Sequence, residues 1–121
     1  MSTNTTIYHN PRCGTSRTVL QHILDAGIKP TVVEYLKQPP SRPVLVGLIN
    51  QAGLTPREAM REKEPLFAEL GLDDQSLSDE ALIDAIVENP ILMNRPFVVT
   101  QLGTLLCRPA DRVFEILPKK G

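Results

Sequence analysis

The chain has 121 residues, 41% hydrophobic and 22% charged, and 13 Lys and Arg against 14 Asp and Glu leave a net charge of −1. That balance suits one globular domain with a single core and excludes the long-range pull that brings strongly basic chains to nucleic acid or an anionic membrane. No apolar stretch approaches the ~18 residues of a bilayer span, and MSTNTT lacks the regions of a signal peptide, so a cytoplasmic location is expected, with no nucleic-acid or membrane partner.

Thr6-Ile7-Tyr8 reads as a short strand closed by Asn10-Pro11. From Cys13 a helix is expected, with Val19, Leu20, Ile23 and Leu24 on one face and Gly27 as its C-terminal cap. Thr31 to Tyr35 (TVVEY) is β-branched and aromatic, hence a strand. Ser41 is an N-cap before a helix carrying Leu45, Leu48, Ile49 and Ala52 and ended by Gly53. Thr55-Pro56-Arg57-Glu58 has the form of a capping box, opening a helix that bears Met60 and Arg61. A turn or two follows over Glu64 to Leu70, closed by Gly71. Ser78-Asp79-Glu80 starts a further helix that buries Leu82, Ile83, Ile86 and Val87 and stops at Asn89-Pro90.

Phe97–Thr100 and Thr104–Cys107 flank Gln101-Leu102-Gly103 as a hairpin, and Arg108-Pro109 opens a last helix with Val113, Phe114 and Leu117 inward. The order predicts an α/β fold: a parallel strand–helix–strand unit joined by a hairpin into a mixed four-stranded sheet flanked by helices. A helical insertion is expected from about residue 40 to 89 of this single domain.

The stretch IYHNPRCGTSRT, residues 7 to 18, sets Cys13 at a strand-to-helix junction. The free N–H groups of a helix's first turn favour an anion there, either a thiolate or a bound oxyanion, and Arg12, Arg17 and His9 add positive potential. Spacing excludes the familiar thiol motifs. A dithiol redox site needs a second cysteine at position 16, which is Ser16, and a Cys-x5-Arg loop needs arginine at 19, which is Val19. A metal site would have only His9 and His22 close by, so none is expected, and His22 is expected to face solvent. Cys107, 94 positions on, supplies no local partner.

Cys13 therefore reads as a single reactive thiol that needs an external thiol to resolve its intermediates. Acidification alone does little. Lowering the pKa from ~8.5 to ~6.5 raises the thiolate fraction at pH 7 from about 3% to about 75%. The accompanying loss of nucleophilicity cuts the gain to about 3-fold. The larger effect must come from groups that polarise the electrophile. Arg61, on the capped segment, and Arg95 and Arg108, at the two ends of the hairpin, offer the planar forks that suit a tetrahedral oxyanion such as arsenate or phosphate. Arg12, Arg17 and Arg57 read as ordinary surface charge.

YHNPRCGTSR, PTVVEYLKQPPSR, REAMREKEP, NPILMNRPFVVT and GTLLCRPADRV together resemble the glutaredoxin-linked arsenate reductases over nearly the whole chain. The resemblance implies a thioredoxin-like fold and reduction of arsenate to arsenite, with glutathione as co-substrate, glutaredoxin as partner and no bound cofactor. It implies Cys13 as nucleophile, His9 and Ser16 as residues that tune its thiolate, and Arg61, Arg95 and Arg108 converging on the arsenic oxyanion. It also implies a cis bond before Pro96, since thioredoxin-like folds place a cis-proline at that strand entrance. Cys107 falls beside the oxyanion arginine and is not the nucleophile. Two other classes stay open: a monothiol glutaredoxin-like protein, and a polymerase-binding regulator without reductase activity, which shares the fold but often carries a dithiol that is absent here.

Overall fold

One of the two interior strands of the sheet is β1 (Thr6–His9), which pairs with a neighbour on each side. In the computed structural model, which describes residues 4–118, helix α1 (Gly14–Asp25) follows, and β2 (Thr31–Glu34) returns parallel to β1 with Thr6 opposite Thr31 and His9 opposite Glu34. Strands β3 (Phe97–Thr100) and β4 (Gly103–Leu106) complete a mixed sheet in the order β2-β1-β3-β4. β3 runs antiparallel to β1, with Thr6 opposite Val99, and also to β4. The core of this unit gathers Ile7, Val19, Ile23, Ile28, Val98, Cys107, Val113 and Ile116.

The chain divides into two compact units: residues up to Gln38 together with those from Arg95, and a second unit, Pro39–Asn94, that interrupts the first. The second contains α2 (Arg42–Gln51), α3 (Pro65–Glu69), α4 (Asp79–Glu88) and a 3-10 turn, Pro90–Leu92. Its caps follow the sequence. Ser41 accepts from the Val44 N–H at 3.4 Å and Ser78 from the Ala81 N–H at 3.1 Å, each relieving one orphan donor. Leu45, Leu48, Ile49, Leu82, Ile83 and Ile86 are buried at helical spacing.

α1 ends on a Schellman motif. Gly27, at φ 80°, donates to Leu24 O, and Ile28 donates to Ile23 O while its side chain joins Ile23 in the core. The left-handed φ is the reason glycine stands there. Leu24, expected on the apolar face, is instead 45% exposed. The buried stripe of α1 narrows to Ser16, Val19 and Ile23, one side chain per turn.

Three further expectations are corrected. The capping box forms, with Thr55 N–H donating to Glu58 Oε1 at 2.9 Å and Glu58 N–H to Thr55 Oγ1 at 3.2 Å, yet no helix follows. The Ala59 carbonyl accepts from Asn94 N–H, and the Arg61 N–H donates to Leu92 O. Met60 thereby pairs with Met93 in an antiparallel bridge, and tertiary partners take the groups that propagation would need. The hairpin loop is the two residues Gln101-Leu102, because Gly103 already pairs with Thr100. The last helix is a 3-10 segment, Ala110–Glu115. Its three-residue repeat puts Val113 and Ile116 inward and leaves Phe114 56% exposed.

His22 does not simply face solvent. Its ring lies 4.7 Å from that of Phe114, and its Nε2 is 3.6 Å from Asp111 Oδ1. The turn that exposes Phe114 sets it against α1.

Candidate active site

Cys13 is the N-cap residue of α1, in extended conformation, so its side chain sits at the open end of the helix. The loop that delivers it is tied down by short-range hydrogen bonds. Cys13 N–H donates to Asn10 O at 3.0 Å, closing a β-turn with Pro11 in its second position, a place proline favours. Arg12 N–H donates to Asn10 Oδ1 at 2.9 Å, and the Arg17 guanidinium donates to Pro11 O at 2.9 Å. The thiol is buried, at 8% exposure.

Arg108 enters from the second residue after β4. Its Nη1 lies 3.7 Å from Cys13 Sγ and donates to Arg95 O at 3.0 Å. Arg95, at the entrance to β3, is itself buried. Burial pushes the Cys13 thiol up, but the Ser16 backbone N–H, the Arg95 guanidinium acting by hydrogen bond and by charge, and Arg108 outweigh it and bring the pKa down to about 7. About half of the sulfur is thus thiolate at pH 7. In contrast, burial, assisted by Glu115 and opposed by Arg112, pushes Cys107 up to about 12. Cys107 is a core residue with a protonated thiol.

His9 and Ser16 meet directly, with Nδ1 and Oγ 2.7 Å apart. Ser16 Oγ also accepts the Asn10 N–H at 3.1 Å. Its hydroxyl is therefore held by His9 and the loop, and it is the Ser16 amide that acts on the sulfur. His9, read from the sequence as a local positive charge, is shifted toward its neutral form. Burial lowers its pKa, and Arg17 adds to that effect against the opposing pull of Glu34. The positive potential at Cys13 comes from Arg95 and Arg108.

The first unit thus brings Cys13, His9, Ser16, Arg95 and Arg108 together. Arg61 belongs to the second unit, where its Nε lies 3.8 Å from a Glu64 carboxylate oxygen. The bonds before Pro96 and Pro109 are both cis; only the first was expected. Arg57 is not an idle surface charge, since its guanidinium donates to Leu72 O at 2.7 Å and to Asp74 O at 3.0 Å. Asn10, which the sequence offers only as a strand terminator, is at the centre of the loop. An asparagine at the first position of a turn whose second residue is proline was the available signal.

Such a site can hold a thiolate beside two guanidinium groups, which suits attack on a tetrahedral oxyanion. Among the described residues no helix is long and apolar enough to cross a membrane.

The ArsC family model matches residues 8–116. A curated arsenate reductase of Rhizobium meliloti (strain 1021) is 66% identical over 113 residues, covering 93% of this chain and 81% of the relative. One from Escherichia coli (strain K12) is 50% identical over 115 residues, covering 95% and 82%. Among solved structures, an arsenate reductase from Vibrio cholerae superposes with a TM-score of 0.92 at 43% identity, covering 97% of this chain and all of that one. The mixed four-stranded sheet flanked by helices is the thioredoxin-like architecture that the sequence led us to expect. The family model and these relatives show that the chain belongs to the ArsC family.

Proposed function

We propose that this protein reduces arsenate to arsenite, with glutathione and glutaredoxin supplying the electrons, as part of arsenic detoxification in the cytoplasm. The observation that carries the reading is the thiol of Cys13, at a helix N-terminus, with a pKa near 7 and the Arg108 guanidinium 3.7 Å from its sulfur. The relatives named arsenate reductase point the same way.

In this mechanism the Cys13 thiolate attacks arsenic(V), forming an S–As bond as one arsenate oxygen leaves as water. Glutathione adds through its sulfur with loss of a second water. A glutaredoxin thiolate then takes the glutathione sulfur as a mixed disulfide. The electron pair of the broken As–S bond stays on arsenic, which becomes arsenic(III). Water cleaves the remaining S–As bond, releasing arsenite and the Cys13 thiol. Arg95 and Arg108 spread the oxyanion charge and need no reorganisation as it moves. Arg61 is the third substrate arginine in this reading, on the sequence match alone. His9 and Ser16 hold the loop that carries the thiol.

The test is arsenate-dependent NADPH oxidation with glutathione, glutaredoxin and glutathione reductase present. Turnover by wild type that disappears in Cys13→Ser supports the reading. Wild type that oxidises NADPH no faster than Cys13→Ser overturns it.

A further inference from the structure

We propose that Asn10 and Tyr35 are a positioning pair for Cys13: the asparagine ties the cysteine loop to the end of β2, and this link holds the thiol against the α1 N-terminus. Asn10 is buried and uses all of its polar groups. Its carbonyl accepts Cys13 N–H at 3.0 Å, its side-chain Oδ1 accepts Arg12 N–H at 2.9 Å, and its own N–H donates to Ser16 Oγ at 3.1 Å. The remaining donor, Nδ2, reaches the Tyr35 hydroxyl at 3.4 Å, 25 residues away.

Tyr35 directly follows β2 and has no exposed surface. A fully buried phenol has its ring direction set by packing, so its oxygen is a fixed point against which the loop can be referenced. The other three contacts are local, within six residues of Asn10: two stay inside the loop, and the third joins it to Ser16 of α1, which His9 of β1 holds in turn. The bond to Tyr35 is the contact of Asn10 that reaches the end of β2, the parallel partner of β1.

Neither side chain is placed against the sulfur, so the pair acts through where it puts Cys13. Two consequences depend on that placement: the approach of the Ser16 amide to the thiolate and the 3.7 Å separation from Arg108. Both weaken if the loop drifts, and the sulfur then behaves more like a free thiol, which titrates at ~8.5.

The inference rests on Cys13 being the reactive thiol of the proposed function, but its test needs no arsenate. The rate of iodoacetamide alkylation is followed against pH; Cys107 is fully buried and does not compete. The inflection of wild type is expected near pH 7. Asn10→Ala should move it up by about one pH unit toward the free-thiol value, and Tyr35→Phe, which removes one oxygen, should move it up by less. Val113→Ala loosens the core of the same unit away from the loop and should leave the inflection in place. Midpoints that stay at the wild-type value in Asn10→Ala or in Tyr35→Phe overturn the pair. A shift in Val113→Ala as large as theirs overturns it too, since general loosening would then explain everything. If Asn10→Ala does not fold, Tyr35→Phe decides alone. Shifted midpoints without arsenate turnover would sink only the proposed function, and turnover with unmoved midpoints only this inference.

Discussion

Replacing Arg108 by alanine removes a guanidinium whose Nη1 lies 3.7 Å from the Cys13 sulfur. Two unit charges about 4 Å apart attract by ~4 kcal/mol at an effective dielectric of ~20, and by ~1 kcal/mol in bulk water. Arg108 is exposed, so solvent screening pulls the value below the upper figure. A charge-assisted contact worth ~1.5–3 kcal/mol is a reasonable bracket, which is roughly 10- to 150-fold in kcat/KM for arsenate. The same substitution strips Arg95 O of the donor that reaches it at 3.0 Å, so some of the loss will reflect a disturbed β3 entrance. Arg108→Lys separates the two: it keeps the charge but loses the fork, and should recover only a small part of the activity. The assay is coupled NADPH oxidation at varied arsenate, with folding checked by thermal melts. An Arg108→Ala enzyme within 3-fold of wild type would refute the electrostatic reading of this site, as would full rescue by lysine.

Activity should rise with pH from 6 to 8 with a midpoint near 7. The thiolate forms above the lowered Cys13 pKa and is lost below it, and a flat profile over that range would contradict a pKa near 7. Cys107→Ser should keep most of the activity, because burial holds its thiol protonated up to about 12; a loss comparable to that of Cys13→Ser, measured by turnover, would assign it a chemical role. Arg57→Ala should lower stability by about 1–3 kcal/mol through the loss of hydrogen bonds to Leu72 O and Asp74 O, read as a drop in the melting midpoint; an unchanged midpoint would make these contacts incidental. Gly27→Ala should cost roughly 1 kcal/mol by forcing a side chain into φ 80°, and a thermal melt equal to wild type would show that the cap relaxes without penalty.

Local rules carried most of the elements. The strands Thr6–His9 and Thr31–Glu34 and the serine caps at 41 and 78 depend on residues within a few positions of one another, and they appear where the sequence places them. The failures are instructive because each has a distant cause. Thr55 and Glu58 satisfy each other as a helix start should, yet the Ala59 carbonyl and Arg61 N–H are claimed by Asn94 and Leu92, about thirty residues further along the chain. A periodicity of 3.6 applied to residues 110–117 put Phe114 inside; the tighter 3-10 turn put Ile116 there instead.

For the site, local residue order marks the candidate reactive group. A cysteine at a strand-to-helix junction, without a second cysteine at position 16, defines a single thiol at a helix N-terminus, and the basic residues of the two hairpin ends can be read from their order alone. Which charges act on it depends on the fold, which brings Arg95 and Arg108 to the thiol. The pKa of a buried group depends on dielectric surroundings and on partners 95 residues away, such as Arg108, and neither is encoded in local spacing. That is why His9, basic on paper, is shifted toward its neutral form in the folded chain, while Cys13 and Cys107 are the same residue type with pKa values near 7 and 12.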